Sequence, residues 1–399
     1  MCKTEFRELF PSLLIVINSV VWFSLSWFII EDLLGSPSFN DILLVSSSYF
    51  GTLLISSAIG ATLLRNKLRK RKGLLSWVSL AAAASIFAAV LVHEINLTTL
   101  IPISLAFGTL AGLGIPSSLA LFSETLTAKN RGRNSAVAFF LIQALTVLLY
   151  MLISNVNLEY QFLILAAWRL LGILGIIFYV PREKAIEERK IRLSGIIHEK
   201  AVILYFIPWF LFTIVNFVEQ PLLEHYFGAD LYSQYMMMGI LITSISAILG
   251  GVICDYKGRK VSGILGFILL GIGYAFLSLL SGTQISQILW MLLEGVAWGI
   301  LYVTFIFVVW GDISEGTDQE KYYFIGGMPF LLSNLISTLV KPFAQFTSIT
   351  ASFSIASIFL FLAILPLLYA PETLPAKHVK ERELKNYLEK AMREREKYA

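Results

Sequence analysis

Twelve apolar stretches, each long enough to cross a bilayer, constrain this chain more than any other feature of its sequence. A membrane-spanning helix needs about 20 mainly apolar residues. Hydrophobic residues make up 57% of the 399 positions and charged residues only 15%, and the charged residues are clustered between the apolar stretches. The sequence therefore predicts an all-α integral membrane protein. The predicted spans are residues 10–31, 41–64, 74–93, 99–122, 135–155, 160–181, 201–222, 234–254, 261–281, 286–311, 323–341 and 350–370.

The distribution of Lys and Arg predicts the orientation of these spans. Cytoplasmic loops carry an excess of positive charge. With both termini inside and twelve alternating spans, 29 of the 31 Lys and Arg residues fall on the cytoplasmic side, all but Arg169 and Lys341. We therefore expect a multi-pass protein of the cell membrane with both termini cytoplasmic. The net charge of +4 then reflects loops that face an anionic leaflet, so it does not indicate nucleic acid as a partner.

A basic decapeptide from Gly251 to Lys260 follows the eighth apolar stretch. It reads Gly-Val-Ile-Cys-Asp-Tyr-Lys-Gly-Arg-Lys, with Asp255, Gly258 and Arg259 at fixed spacing. It resembles the loop signature G-x-x-x-D-x-x-G-R-[RK] of the major facilitator superfamily of secondary transporters. The resemblance implies a membrane transporter.

A second, weaker copy of this signature lies 191 residues upstream and begins at Gly60. It keeps the glycine and the basic residues Arg65 and Arg69, but has Leu64 in place of the acidic residue. Two copies at half-chain spacing indicate an internal duplication, which the superfamily has.

Three further segments resemble superfamily motifs at the places that the topology requires. The segment after predicted span four begins at Glu124 and includes Arg131 and Arg133, and its counterpart after span ten ends at Asp312. A Pro-Glu-Thr sequence, residues 371–373, closes span twelve. The resemblance therefore covers nearly the whole chain.

The resemblance implies two pseudo-twofold-related six-helix bundles, residues 1–181 and 201–375. Residues 182–200 would be a cytoplasmic linker and residues 376–399 a charged cytoplasmic tail, both interpreted as solvated faces, with a partner site as the alternative. The protein would be a monomer in the lipid bilayer and would move a small-molecule solute by alternating access. The coupling ion would be H⁺. The superfamily's sugar-porter Arg in span four and drug-antiporter Gly-Pro pair in span five are absent, so the solute is not assigned.

Glu294 is the leading candidate for coupling or solute binding. Charged groups cost about 2.5–3.5 kcal/mol in the membrane interior on insertion scales, so each one indicates a functional or structural role. The resemblance implies that spans one, four, seven and ten line a central cavity, and Glu294 lies in span ten between Trp290 and Trp298. A carboxylate there binds a proton or a cationic group. The alternative is a carboxylate held by a hydrogen bond between helices.

Glu219 is the second candidate acid, in the outer third of span seven, with Asn216 one turn earlier. Pro221 follows, so we expect the helix to bend or end there. The alternative for Glu219 is an interfacial residue in contact with water. Arg169, near the middle of span six, should face protein because lipid contact is costly. It would pair with a carboxylate such as Glu294 or Glu219, or serve only the scaffold.

The position of Asp255 at the end of predicted span eight predicts a contact between the two bundles. Its carboxylate would pair with Arg259 and Lys260 in the same turn, or lie against the N-terminus of span five, where anions are stabilised. Such contacts exist only when the bundles touch on the cytoplasmic side.

Other chemistries find no support in the sequence. The four His residues are scattered, the two Cys residues are far apart, and no nucleotide-binding fingerprint occurs, so we expect no metal, no cofactor and no enzymatic activity. The alternatives to a coupled transporter are an uncoupled uniporter, a channel, and a non-transporting sensor or interaction protein with the same fold.

The charge distribution predicts the result of cysteine labelling. Single cysteines at Thr283 and Glu224 should react with a membrane-impermeant maleimide added to intact cells, because no outer loop carries Lys or Arg. Cysteines at Lys70 and Lys257 should react only after permeabilisation. Labelling of position 70 in intact cells would contradict the twelve-span topology.

Overall fold

The computed structural model describes residues 3–34, 38–91, 96–179, 191–315, 317–375 and 392. Helices account for nearly all regular structure in these residues. Residues 182–190 of the predicted linker, and the predicted tail apart from residue 392, lie outside the described residues.

Within the described chain, twelve helices are long and apolar enough to cross a membrane. This confirms the predicted fold class, and every helix end lies within five residues of its predicted position. In order, spans one to twelve are Leu9–Leu34, Phe39–Thr62, Arg71–Leu91, Leu97–Glu124, Arg131–Ile153, Leu158–Phe178, Lys200–Phe227, Ala229–Lys257, Arg259–Leu279, Gln284–Ile313, Gln319–Phe346 and Ile349–Tyr369.

Local sequence signals fix where several spans begin. Span two starts with a capping box, in which Ser38 accepts the Asp41 backbone N–H and the Asp41 carboxylate accepts the Ser38 N–H. Spans eight and nine are separated by one residue, Gly258, whose φ of 109° is a conformation that only glycine adopts without strain. A Cβ at that position would also lie 2.3 Å from the Glu372 carboxylate. The second glycine of the decapeptide is therefore required by the turn.

The N-half contains spans one to six and the C-half spans seven to twelve. In the N-half, span two packs along span four and span three along span six. In the C-half, span ten packs against spans eight and nine, and span nine against span twelve. The main contacts between the halves are span five with span eight and span two with span eleven. The halves therefore meet along two seams with space between them.

Span two can approach span four closely because glycines remove side chains at the crossing. A Cβ at Gly60 would lie 2.0 Å from the Leu113 carbonyl oxygen, and one at Gly112 would lie 2.2 Å from the Leu53 carbonyl oxygen. Ser57 donates a hydrogen bond to the Gly112 carbonyl at 3.1 Å. Small residues and hydroxyl donors stabilise helix pairs in this way where lipid gives little hydrophobic driving force.

Three spans depart from the simple helices that the sequence predicted. Span seven continues through Pro221 to Phe227, so of the two expected alternatives, a bend or an end at the proline, the end is wrong. Span ten contains a π-helical segment, Val303–Val308. Span eleven is interrupted after Leu331 and finishes as a 3₁₀ helix, Lys341–Phe346. Hydropathy does not detect such changes because they leave composition unaltered.

Candidate functional site

A cavity of about 410 Å³ lies between the N-half and the C-half. Spans one, four, seven and ten line it as expected, and spans five, eight and eleven also contribute. Its wall is dominated by aromatic rings. The aromatic lining residues are Phe23, Trp27, Phe28, Phe139, Phe217, Tyr232, Trp298, Tyr302, Phe307, Tyr323 and Phe330.

Glu294 lines this cavity, together with Trp298 one turn further along span ten. It also lines an adjoining pocket of about 180 Å³ that extends towards Thr243 and Gly295. Among the described lining residues Glu294 is the only Asp or Glu, and none is Lys, Arg or His. The cavity therefore contains a single acidic group in an aromatic surrounding.

Two amides on span seven face the same cavity. Asn216 and Gln220 are one turn apart and both line it. The Asn216 Nδ2 donates to the Phe212 carbonyl oxygen at 2.7 Å, which directs its Oδ1 away from the helix backbone. The Asn216 Oδ1 and the Gln220 Oε1 have no hydrogen-bond partner among the described residues. Because unsatisfied buried acceptors are costly, these two oxygens indicate a place for a donor.

Glu219 and Trp290, both predicted near the solute, do not line the cavity. Glu219 is 5% exposed, and its Oε2 has no partner among the described atoms. Trp290 is fully buried within the C-half, where its ring lies 5.3 Å from that of Phe227. Their predicted roles stay predictions, and the structure places both side chains outside the cavity lining.

Arg169 is fully buried inside the N-half. Its Nη1 donates to the Asn18 Oδ1 at 2.8 Å and to the Ser19 hydroxyl at 3.2 Å. Its guanidinium lies 4.1 Å from the centre of the Trp77 ring and 5.4 Å from that of Trp22. The expectation that Arg169 faces protein is confirmed. Its described contacts do not include Glu294 or Glu219, and of the two alternatives for its role they favour the scaffold.

Aromatic rings from both halves close one side of the cavity. The Phe139 ring lies 5.3 Å from that of Tyr302 and 6.5 Å from that of Phe307, and Phe122 lies 6.3 Å from Phe307. Phe122 and Phe139 belong to the N-half and the other two to the C-half. We call these four rings the aromatic floor. Beyond the floor lies the end of the bundle that carries the loops after spans two, four, eight and ten, here called the basic end.

Asp312 lies at the basic end and binds one arginine from each half. It accepts from Arg131 of span five and, at 2.6 Å, from the Arg259 Nε of span nine. The three side chains are at most 3% exposed. Arg259 also reaches the N-half directly, because its Nη2 donates to the Ala128 carbonyl oxygen at 2.6 Å.

A second group of ion pairs joins the N-half to the start of span eleven. Arg65 binds Asp318 at 2.5 Å and Glu320 at 3.0 Å. Arg69 binds Glu320 as well, and reaches Glu124 at 2.6 Å. Burial alone would lower the pKa of Arg69, but Glu320 and Glu124 outweigh that effect and raise it. These pairs and those of Asp312 together form the ion-pair layer.

The prediction that Asp255 lies at the N-terminus of span five is confirmed. Its Oδ1 accepts the Gly132 backbone N–H at 2.8 Å, and its Oδ2 accepts the Arg133 N–H and Nε, both at 3.1 Å. The first N–H groups of a helix lack partners within the helix, so a carboxylate there satisfies them. Arg259 is 3.8 Å away. Lys260 does not join this group and donates to the Leu368 carbonyl oxygen.

Gly251 and Gly132 let spans eight and five touch at this point. A Cβ on Gly251 would lie 2.5 Å from the Gly132 carbonyl oxygen, and a Cβ on Gly132 equally close to that of Gly251. The obstacle in both cases is backbone, which cannot rotate away as a side chain does. The first glycine of the decapeptide therefore permits the approach that the Asp255 hydrogen bonds require.

The sequence reasoning missed Asp318 and Glu320, which hold Arg65 and Arg69. A signal was available, since both acids stand at the start of span eleven, where a helix N-terminus favours negative charge. It also missed Gln143 and Tyr302 as cavity residues. No local pattern distinguishes them from other polar or aromatic residues of a span.

Residues 12–313 match the family model described as Major Facilitator Superfamily. The chain belongs to this superfamily. No curated protein matches it in a sequence search.

Solved structures of superfamily transporters share the fold at low sequence identity. The proton:xylose symporter XylE, bound to 6-bromo-6-deoxy-D-glucose, is 16% identical with a TM-score of 0.72, over 92% of this chain and 96% of that one. The E. coli fucose:proton symporter FucP is 14% identical with a TM-score of 0.70, over 92% and 99%. The human organic anion transporter MFSD10 (TETRAN) is 14% identical with a TM-score of 0.68, over 91% and 99%.

The Asp255→Asn variant should open the basic end. An amide oxygen can replace only one carboxylate oxygen, and the amide NH₂ would face donors, so at least one charge-assisted hydrogen bond is lost. Such a bond contributes about 1.5–3 kcal/mol, which is a population shift of about tenfold or more. Double electron–electron resonance between spin labels at Lys129 and Glu315, both exposed, should show a longer distance. Asp230→Asn, exposed at the other end of the same span, is the control. An unchanged distribution for Asp255→Asn would show that this carboxylate does not hold the halves together.

The Gly251→Ala variant should separate spans eight and five without removing any charge. The added methyl group overlaps backbone, so the closed basic end loses population and the distance between labels at Lys129 and Glu315 lengthens. Gly51→Ala provides the comparison, because a Cβ at Gly51 meets nothing within 4 Å. Equal distances in both variants would refute the steric argument.

Proposed function

We propose that this protein is a secondary active transporter that moves a small solute across the cell membrane by alternating access, driven by H⁺. The observation that carries the proposal is a cavity between the two halves that contains one carboxylate, Glu294, and is closed on one side by contacts between the halves. Membership of the superfamily gives the same general class.

The position of the ion-pair layer supports alternating access. Its bonds from Arg131 to Asp312 and from Arg65 and Arg69 to Glu320 cross between the halves, so they break if the halves separate at the basic end. While they are formed, the aromatic floor and the layer close the cavity on that side. The two bundles, residues 1–181 and 201–375, would rock about the cavity and expose it to one side at a time. We place the basic end in the cytoplasm, in keeping with its positive charge.

Glu294 is suited to carry the coupling proton. It is the one acidic group among the described cavity residues, and it lies within reach of a solute in the same space. When the cavity opens to one side and then the other, a carboxylate in its wall can take a proton from one and release it to the other. The XylE and FucP structures are those of proton symporters, which is consistent with this coupling.

The Glu294→Gln variant should abolish pH-driven transport, because glutamine cannot exchange a proton. A solute found by thermal shift on the purified protein would serve as the cargo, since a ligand of the native state raises its melting temperature. Uptake into proteoliposomes should depend on an imposed pH gradient in the wild type and in Glu159→Gln, an exposed glutamate in span six. Normal pH dependence in Glu294→Gln would contradict this role and make Glu219 the better candidate, whereas uptake in the wild type that ignores the pH gradient would exclude a proton.

Leu64 favours one other function, a non-transporting member of the superfamily that acts as a sensor or interaction protein. It stands where the signature has Asp, so the first loop copy has no acid for the capping contact that Asp255 makes in the second. Arg65 and Arg69 are instead held by Asp318 and Glu320, which keeps a bond between the halves on that side as well. Absence of flux for every ligand that stabilises the protein would support the sensor.

A further inference from the structure

The charge of the cavity limits what it can hold. Among the described residues that line it, Glu294 is the one carboxylic acid, and none is Lys, Arg or His. An anionic solute would therefore meet a negative charge with no compensating cation. Moving an unpaired charge out of water is unfavourable, whereas a cation would find a partner in Glu294.

The hydrogen-bonding groups near Glu294 add to this preference. Asn216 is 4% exposed and lines the cavity, and its Oδ1 has no partner among the described residues. Gln220, one turn later, also lines the cavity, and its Oε1 also has no partner among them. Tyr232 lines the cavity with both Gln220 and Glu294, so the three side chains face a common space. The unpartnered oxygens and the carboxylate accept hydrogen bonds, and an ammonium group supplies three N–H donors and a positive charge.

Aromatic rings beside these acceptors suit the rest of such a solute. The Trp298 ring lies 6.0 Å from that of Phe217 and 4.8 Å from that of Tyr302, and Tyr302 lies 5.4 Å from Phe330. All four line the cavity. Aromatic faces attract cations and also bury apolar groups.

The end of the bundle opposite the basic end carries negative charge. Its described acidic residues are Glu31, Asp32, Asp41, Glu159, Glu224 and Asp230. Lys341 is the one Lys or Arg described there, and it is bound to Glu224 at 3.4 Å. An entrance of one sign raises the local concentration of solutes of the opposite sign.

We propose that the solute is an amphipathic organic monocation, a protonated amine with an aromatic or other apolar body. Its ammonium group lies between the Glu294 carboxylate and the Asn216 and Gln220 oxygens, and its body lies against Trp298 and Phe217. That this cation is transported rests on the proposed function. Its binding at this site does not depend on that function.

A charge series on one apolar body tests the inference by isothermal titration of the purified full chain. The probes are 4-phenylbutylammonium, its N,N,N-trimethyl derivative, 4-phenylbutanol and 4-phenylbutanoate. The primary ammonium should bind at least about tenfold more tightly than the alcohol, and the carboxylate should bind most weakly. Equal or tighter binding of the alcohol or the carboxylate, or binding of no member of the series, would overturn the proposed solute class. This test uses the wild-type protein and needs no variant.

Two variants test the placement. Glu294→Gln should weaken binding of 4-phenylbutylammonium by about ten- to a hundredfold and leave the alcohol unchanged. Glu315→Gln, an exposed glutamate at the basic end, is the matched control. Asn216→Ala should weaken the primary ammonium more than the trimethyl derivative, which has no N–H to donate. Unchanged ammonium affinity in Glu294→Gln, or equal losses for both cations in Asn216→Ala, would refute this arrangement.

Flux in proteoliposomes separates this inference from the proposed function. Binding of 4-phenylbutylammonium without its transport would overturn the transporter and leave the ligand class standing. Transport of 4-phenylbutanol or 4-phenylbutanoate, without the ammonium, would overturn the ligand class and leave the transporter standing.

Discussion

Asp312 is buried between two arginines from different halves, and each of them forms an ion pair with its carboxylate. A carboxylate taken out of water costs several kcal/mol unless it is well paired, and removal of one partner of a buried pair costs about 3–5 kcal/mol. Arg131 and Arg259 face the same penalty. Arg131 loses its acidic partner if the halves separate, whereas Asp312 keeps Arg259 of its own half, so the pairing of Arg131 stabilises the conformation with touching halves.

The cavity and the layer use opposite solutions to the same constraint. At the basic end, several charges lie close together and neutralise one another over short distances. In the cavity, Glu294 is the one carboxylic acid among the described lining residues and lies among aromatic rings, and the amide oxygens of Asn216 and Gln220 are unpartnered within the described residues. An unpaired group in the membrane interior is costly to keep. The paired charges are explained by contact between the halves, whereas the unpartnered amide oxygens are open to a hydrogen-bond donor in the cavity.

Sequence reasoning predicted features that depend on composition or on short spacing. The twelve spans follow from apolar length, and the Asp255 contact followed from a decapeptide in a tight turn. The Arg65 pairing could not be found in this way, because Glu320 lies 255 residues further along the chain. Glu294 and Glu219 were both candidates from sequence, but of the two only Glu294 lines the cavity, and that depends on how each helix is rotated in the bundle. Packing sets the rotation of each helix about its own axis. The hydrophobic periodicity of the sequence does not show this rotation when a helix is apolar on every side.

The π-helical segment Val303–Val308 lies in span ten between Tyr302, which lines the cavity, and Asp312 in the ion-pair layer. A π turn takes up one residue more than an α turn, so it absorbs an extra residue while the flanking helix keeps its direction. If the segment became α-helical at constant length, Asp312 would turn by about 100° relative to the cavity residues, the angle per residue of an α-helix. A chain shortened by one residue within this segment would keep both faces in place. A deletion of one residue in span ten is therefore better tolerated at these six positions than on either side of them.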